Sequence, residues 1–321
     1  MGIFLNILLL LVGFVLLIKG ADFFVDGSSS LARKLRIPSL VVGLTIVAMG
    51  TGAPEMAVSI SSAAQKMNGM AVSNVVGSNL FNLLMVLGIC ALIKPPSVTP
   101  EILKRDYPIS IGATILFIGL LLFDKQLGRI DATLFLLLMI GYLVWTVMSA
   151  LKNKPAEEEE KEEKPFKAWK CALFIVGGIA AIVLGGNIVV DNASAIGSAF
   201  GMSESLIGLT ICAIGTSLPE LVTSIVAARK GETDMAIGNV VGSNISNILL
   251  TLGLSGVISP IAINPDAFFG TLVDCGVYIV VCLMAYIFCL TSKKITRAEG
   301  GIMVACYVAY TAYIIIRDMG I

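Results

Sequence analysis

Two glutamates each follow a proline inside a long apolar part of the sequence. Glu55 ends the motif GTGAPE at 50–55, and Glu220 ends the motif GTSLPE at 215–220. Proline lacks an N–H and clashes with the preceding turn, so the carbonyls near Gly50 and Gly215 lose their helical partners. A carboxylate at membrane depth is costly unless it is paired or neutralised. The two motifs therefore predict a site that holds positive charge.

The residues around the two motifs offer oxygen atoms and no positive charge. Neither segment contains lysine, arginine or histidine, and the whole chain has no histidine. Two carboxylates that meet repel each other unless a proton or cation lies between them. Oxygen ligands without nitrogen or sulfur favour a hard cation such as Ca²⁺ or Na⁺. The candidate side chains are Thr51, Thr216, Ser217, Ser78 and Ser243 in two GSN turns, and Asn82 and Asn247, four residues further on.

The two motifs belong to an internal repeat with a constant offset of 165 residues. AMGTGAPEMAVS at 48–59 returns as AIGTSLPELVTS at 213–224. MAVSNVVGSNLFNLLMVLG at 70–88 returns as MAIGNVVGSNISNILLTLG at 235–253, with 12 of 19 positions identical. Two long matches at one offset indicate a tandem duplication.

The composition is that of a polytopic membrane protein. The 321 residues are 57% hydrophobic and 14% charged, and the mean hydropathy is +0.93. Because a membrane-spanning helix needs about 20 apolar residues, the apolar runs predict an all-α protein with ten transmembrane helices. The predicted spans are 3–24, 38–64, 70–93, 107–123, 131–151, 168–190, 205–228, 234–258, 268–290 and 299–316. The first has no basic leader or cleavage site and is read as a retained helix.

The duplication divides the chain into two five-helix halves. We expect a first repeat at 1–151, a charged linker at 152–167 and a second repeat at 168–321. Five spans are an odd number, so the second half enters the membrane from the opposite side. Inverted repeats with interrupted helices are typical of secondary transporters, whose site lies near the bilayer midplane where the repeats meet. The linker lacks the spacing and glycine of an EF-hand, so a solvated connection is favoured over a calcium sensor.

The positive charges predict the orientation. Of the 22 lysines and arginines, all but Lys66, Lys125, Arg129 and Arg317 fall on one side of a ten-span arrangement. The positive-inside rule puts that side, with the linker, in the cytoplasm of a cell whose plasma membrane holds the protein, and both termini outside. The net charge is zero, which gives no basic surface for nucleic acid. The expected surroundings are the lipid bilayer.

The paired motifs resemble the two α-repeats of the cation/Ca²⁺ exchanger superfamily, and most closely those of its prokaryotic Na⁺/Ca²⁺ exchangers. The resemblance implies an ion core made by the second, third, seventh and eighth helices, with the first and sixth sliding across it. It implies calcium ligation by Glu55 and Glu220 with the carbonyls of Thr51 and Thr216. It implies sodium ligation by Ala48, Ser78, Ala213, Ser217 and Ser243, with Asn82 and Asn247 near the centre.

This sequence departs from the family pattern at two positions. Gly52 stands where the family usually has serine, so one hydroxyl ligand is lost and the ion stoichiometry can change. Asn247 stands where some relatives have aspartate, which makes K⁺ dependence less expected. We expect Asp26 and Asp191 to be helix-end or loop residues rather than gates, and Asp274 to lie at the membrane interface.

These features predict a secondary antiporter, not an enzyme, that exchanges Na⁺ for Ca²⁺ by alternating access at a site built on two glutamates. No cofactor is expected beyond the transported ions. A Ca²⁺/H⁺ antiporter is the alternative, because the same glutamates could carry protons, whereas the serines favour Na⁺. The lack of a continuous polar stripe argues against a channel. The lack of histidine and of G-x-S-x-G argues against an intramembrane hydrolase.

Overall fold

A computed structural model describes residues 3–66, 68–124, 126–152, 165–201, 213–262 and 265–319. Within these ranges nearly all of the chain is helical. The elements are α1 (Ile3–Leu35), α2 (Ser39–Thr51), α3 (Ala53–Ala64), α4 (68–93), α5 (102–124), β1 (Gln126–Leu127), α6 (Arg129–Lys152), α7 (Ala168–Ala199), α8 (Ala213–Thr216), α9 (Leu218–Arg229), α10 (Thr233–Ile258), β2 (Ile261–Ala262), α11 (Pro265–Ser292) and α12 (Arg297–Met319).

Eight of the described helices are long and apolar enough to cross a membrane: α1, α4, α5, α6, α7, α10, α11 and α12. The pair α2 and α3 also qualifies, as one span bent by 49° at Gly52. The remaining predicted span, 205–228, lies partly outside the described residues, and its described part is α8 and α9. The protein is therefore an integral membrane protein whose described part is almost entirely helical.

The first helix is longer than its hydropathy predicts. The predicted span ends at residue 24, whereas α1 continues to Leu35. Its additional turns contain polar residues such as Ser28 and Ser30, which are buried in the protein. A hydropathy pattern treats such residues as the end of a span, but here they face other helices and not lipid or water. Asp26 and Asp191 accordingly lie inside α1 and α7, and not at helix ends as predicted.

Helices α1 and α7 pack against each other along most of their length. Gly13, Gly20 and Gly27 of α1 recur every seven residues, and Gly178 and Gly185 of α7 match the first two at the 165 offset. An added Cβ at Gly20 would lie 2.9 Å from the backbone nitrogen of Ile182. At Gly185 it would lie 2.8 Å from the carbonyl oxygen of Gly13. Small residues thus bring the two backbones into direct contact, as in other membrane helix pairs.

Within the described residues, four helices contain one wider, π-type turn. Asn82–Val86 in α4 and Asn247–Thr251 in α10 occupy equivalent positions of the repeat. The other two are Gly43–Val47 in α2 and Ile102–Asp106 in α5. Such turns are often found at functional sites because they redirect a side chain out of the regular helical spacing. Here the turns in α4 and α10 begin at the two predicted site asparagines.

The connecting loops pair across the two halves of the sequence. Strand β1 pairs antiparallel with β2, so that Gln126 lies opposite Ala262. An isolated bridge joins Ser97 to Lys294. Both contacts join the loop after one half's third predicted span to the loop after the other half's fourth. The halves therefore interlock on both sides of the helices.

Several charged residues outside the site form ion pairs. Lys230 lies 2.7 Å from Asp26 and 3.4 Å from Asp22, which ties the end of α9 to α1. Arg317 makes two hydrogen bonds of 2.9 Å to Asp274. The buried pair of Arg105 and Asp106 receives a third partner, Tyr142, whose hydroxyl donates to Asp106 over 3.1 Å. These contacts fix helix ends and leave the two glutamates without a basic partner among the described residues.

Candidate ion-binding site

The site is built at two equivalent helix breaks. Gly52 separates α2 from α3, and Ser217 separates α8 from α9. The backbone angles are similar, with φ −75° and ψ 4° at Gly52 and φ −95° and ψ 6° at Ser217. Each proline stands in the first turn of the second helix, where its missing N–H costs nothing. Each break therefore starts a new helix, and its glutamate follows directly.

Glu55 and Glu220 lie in the first turns of α3 and α9. Backbone N–H groups at a helix N-terminus lack helical partners, and the helix dipole favours negative charge there. The breaks therefore create two favourable positions for carboxylates inside the protein. This local effect offsets part of the cost of burying each acid.

Each carboxylate reaches across to the break in the opposite half of the chain. The Ser217 hydroxyl donates to Oε1 of Glu55 over 2.8 Å. A Cβ built on Gly52 would lie 3.6 Å from Oε1 of Glu220. The two acids are thus held in a crossed arrangement, with each one next to the interrupted helix of the other half.

Both carboxylates are enclosed, with an exposed fraction of 1% for Glu55 and for Glu220. Oε2 of each is buried and has no hydrogen-bond partner among the described residues. No described lysine or arginine forms an ion pair with either acid. The described residues also contain no cluster of three or more Cys, Asp or Glu side chains suited to a metal. Further oxygen ligands must therefore come from hydroxyl, amide and carbonyl groups.

An asparagine layer joins the two halves beside the carboxylates. The side chains of Asn79 and Asn244 each donate to the other's backbone carbonyl over 3.3 Å. Asn82 donates to Oδ1 of Asn244 over 3.2 Å, and Asn247 donates to Oδ1 of Asn79 over 3.0 Å. This layer obeys the 165-residue offset in every contact. The Oδ1 atom of Asn82 is buried without a described partner, so it remains available as an oxygen ligand.

A second asparagine pair supports the two breaks. Asn74 donates to the Glu55 carbonyl over 3.2 Å and to Ser59 over 2.9 Å. Asn239 makes the equivalent bonds in the second half, to the Glu220 carbonyl over 3.5 Å and to Ser224 over 2.9 Å. These contacts hold the first turn of each broken helix against α4 and α10.

The other predicted site residues lie around this centre. The hydroxyl oxygens of Ser78 and Ser217 lie 3.2 Å apart, within hydrogen-bond distance. The Thr51 hydroxyl donates to the Val47 carbonyl and to Oδ1 of Asn239. Ser243 is buried, and no described residue bonds its hydroxyl. Ala48 is buried at the start of the last turn of α2, whereas Ala213 and Thr216 begin and end α8.

The structure differs from the predicted site in the position of two serines and in four further asparagines. Ser78 and Ser243 do not lie in turns but inside the helices α4 and α10, because an isolated glycine in an apolar helical run is tolerated and does not by itself end a helix. The asparagines at 74, 79, 239 and 244 were not among the predicted site residues. Their identity in both copies of the repeat was the signal that could have identified them.

The fold is that of a helical membrane protein, and the buried oxygen atoms at its centre are ligands of the kind that a hard cation prefers. The model of the sodium/calcium exchanger protein family matches residues 5–148 and 170–316. The chain therefore belongs to the sodium/calcium exchanger family, and it is a transporter of the exchanger type.

The individual relatives cover nearly the whole chain. The chain is 42% identical to the putative antiporter CaxA of Alkalimonas amylolytica, over 94% of this chain and 95% of that protein. It is 35% identical to the sodium/calcium exchanger MaX1 of Methanosarcina acetivorans, over 95% and 97% of the two chains. A solved structure of the sodium-calcium exchanger NCX_Mj, soaked with Na⁺ and Sr²⁺, has 30% identity and a TM-score of 0.82, and covers 97% of this chain and 99% of its own.

Proposed function

We propose that the chain is a Na⁺/Ca²⁺ antiporter whose site lies between Glu55 and Glu220. The observation that carries this proposal is the crossed pair of buried carboxylates, each facing the opposite helix break and neither paired with a basic residue among those described. A buried carboxylate without compensation is costly. The site thus requires positive charge from outside the protein, and either one Ca²⁺ or several Na⁺ supplies it.

The proposed ligand set contains only oxygen. Glu55 and Glu220 supply charge, and the neutral oxygens come from Thr51, Thr216, Ser217, Ser78, Ser243, Asn82, Asn247, Ala48 and Ala213. Support comes from the bonds that already join several of these residues across the two halves. Ca²⁺ takes about 6–8 oxygen ligands, which two carboxylates and a few neutral oxygens can supply.

We propose that the halves are inverted five-helix repeats, at 1–151 and 168–321, joined by the linker 152–167, with ten spans in all. The repeated π-type turns, the reciprocal asparagine contacts and the crossed loop pairings support a two-fold relation. The positive-inside rule supports plasma-membrane orientation with both termini outside and the linker in the cytoplasm.

Exchange would proceed by movement of α1 and α7 across the broken helices. An added Cβ at Gly50 would meet Ile179 of α7 at 2.9 Å and Phe24 of α1 at 3.1 Å. The end of α2 thus lies in contact with both helices. When bound cations neutralise the two carboxylates, the site can switch its access from one membrane face to the other. Two bare carboxylates cannot make this switch. This requirement would couple Ca²⁺ extrusion to Na⁺ entry.

The test is radioactive Ca²⁺ uptake into proteoliposomes that are loaded with Na⁺ and diluted into choline medium. We expect uptake that requires internal Na⁺ and is lost in Glu55→Gln and in Glu220→Gln. The matched control is Glu101→Gln, since Glu101 lies in a helical turn just before α5 and is exposed. Persistent Na⁺-driven uptake in either site variant would refute the proposed site.

A Ca²⁺/H⁺ antiporter is the second candidate, favoured by one observation. Gly52 provides no hydroxyl beside Glu220, and a proton does not need such a ligand. Uptake that is driven by an imposed pH gradient and indifferent to Na⁺ would establish this alternative. Ca²⁺ flux without any counter-ion would instead indicate a channel.

A further inference from the structure

We propose that Gly52 determines ion specificity in the half of the site next to Glu220. Without a side chain there, Na⁺ bound beside Glu220 keeps a water molecule at the position that the Ser217 hydroxyl fills beside Glu55. The Glu220 half is therefore a weaker Na⁺ site than the Glu55 half. This inference rests on the proposed function and adds a specificity-determining position to it.

The first argument is that the backbone does not require glycine at position 52. Its φ of −75° and ψ of 4° are close to the −95° and 6° of Ser217, the equivalent residue in the second repeat. Neither φ is positive, so serine can adopt the conformation of Gly52 without strain. The backbone conformation therefore does not restrict position 52 to glycine, and a side chain there can contribute to the site.

The second argument is the direction in which a side chain would point. A Cβ on Gly52 would lie 3.6 Å from Oε1 of Glu220, an ordinary contact distance. It would also lie 3.0 Å from the carbonyl oxygen of Ala48, which must shift by a few tenths of an ångström. A serine hydroxyl at 52 would thus be directed at Glu220, as the Ser217 hydroxyl is directed at Glu55.

The third argument is the set of polar atoms that lack a partner. Ser217 bonds to both Glu55 and Ser78. In the other half, the equivalent of Ser78 is Ser243, whose Oγ is buried without a described partner, whereas Oε2 is unpartnered in both glutamates. Buried polar atoms are normally satisfied by protein or by water. The difference between the halves is thus one missing hydroxyl.

The consequence differs between the two cations. Na⁺ carries a single charge and depends strongly on neutral oxygens, whereas Ca²⁺ is attracted mainly by the two carboxylates. Replacing a retained water by a fixed hydroxyl should therefore improve Na⁺ binding more than Ca²⁺ binding. Glycine at 52 biases the site toward the divalent ion.

The experiment measures how Na⁺ and Ca²⁺ raise the melting temperature of the full-length protein in detergent, for the wild type, Gly52→Ser and Gly52→Ala. The alanine variant introduces the same Cβ and the same contact with Ala48, but no oxygen. We expect Gly52→Ser to lower the Na⁺ concentration for half-maximal stabilisation by about fivefold, or ~1 kcal/mol. We expect its Ca²⁺ response to change by less than about twofold.

Gly52→Ala should not gain affinity for Na⁺. Equal Na⁺ responses of the serine and alanine variants would overturn the proposal, because the hydroxyl would then contribute nothing. If Gly52→Ser does not fold, the reciprocal variant Ser217→Gly decides the question: it must raise the required Na⁺ concentration by about fivefold, and an unchanged value contradicts the proposal.

The role proposed for Gly52 does not depend on whether Na⁺ or H⁺ is exchanged for Ca²⁺. A wild type that transports Ca²⁺ with H⁺ would fail the uptake test for Na⁺ exchange, yet Gly52→Ser should still gain Na⁺ stabilisation over Gly52→Ala. Failure of the proposed function and failure of the role of Gly52 thus give different results.

Discussion

At the residue scale, the repeat made the acidic centre predictable. Glu55 and Glu220 stand in equivalent motifs after equivalent prolines, so their meeting follows from the duplication. The crossed contact between Ser217 and Glu55 does not follow from either motif alone, because it depends on how the two breaks approach each other. The asparagine layer escaped prediction for a related reason. An asparagine among small and apolar residues of a helix suggests a packing role from sequence alone. Its hydrogen-bond partners in the other half become known only from the structure.

The asparagine layer leads to a stability prediction. Asn244→Ala removes its bond to the Asn79 carbonyl and the acceptor of Asn82. Because buried groups lose their partners, we expect a loss of roughly 2–4 kcal/mol in the free energy of unfolding. The measurement is denaturation in detergent micelles.

The matched control for this change is Asn187→Ala on α7, where the asparagine is exposed. Its unfolding free energy should stay within about 0.5 kcal/mol of the wild type. Equal effects of the two substitutions would mean that the layer does not stabilise the contact between the halves.

At the element scale, helix existence was easier to predict than helix length. Apolar runs identify spans because a membrane helix must bury its backbone bonds and present apolar side chains to lipid. The end of α1 was missed because Ser28 and Ser30 face protein, where polar groups are tolerated. The break at Gly52 was indicated by the proline, but the bend of 49° depends on packing against neighbouring helices.

The contact between α1 and α7 predicts different outcomes for two adjacent glycines. A Cβ at Gly178 would lie 2.8 Å from the backbone nitrogen of Phe24, whereas a Cβ at Gly177 meets no described atom within 4 Å. We expect Gly178→Ala to destabilise the protein by roughly 1–3 kcal/mol and to slow exchange, because the helices must separate.

Gly177→Ala provides the comparison on the same helix. It should leave exchange intact and stabilise the helix by up to about 1 kcal/mol, since alanine is the better helix former. Melting temperature and Na⁺-driven Ca²⁺ uptake measure both effects. Similar losses in the two variants would indicate that close packing of α1 and α7 is not what matters.

At the whole-molecule scale, the two halves contact each other through their loops as well as through their helices. Strand β1 pairs with β2, and Ser97 pairs with Lys294, so the loops of one half are completed by those of the other. The sequence predicted two halves from the offset alone. It could not predict these pairings, because a short loop sequence does not indicate its partner and the loops meet only after the helices assemble.

This interlocking predicts that the linker can be cut without loss of transport. A protease site inserted within 153–164 should be cleaved in inside-out vesicles and protected in right-side-out vesicles, because the linker is expected in the cytoplasm. The two halves should still purify together and retain Na⁺-driven Ca²⁺ uptake. Cleavage in right-side-out vesicles would reverse the proposed orientation, and separation of the halves would show that the linker is required.

The bond between Ser217 and Glu55 also has a consequence for biosynthesis. The two residues are 162 positions apart, and a ribosome that adds 5–20 residues per second needs roughly 8–30 s to pass from one to the other. Throughout that interval the nascent first half holds an acid in the membrane whose partner has not yet been made. The newborn chain is therefore most exposed to quality control between the insertion of α3 and that of α9, and a pause in translation there extends its vulnerable period.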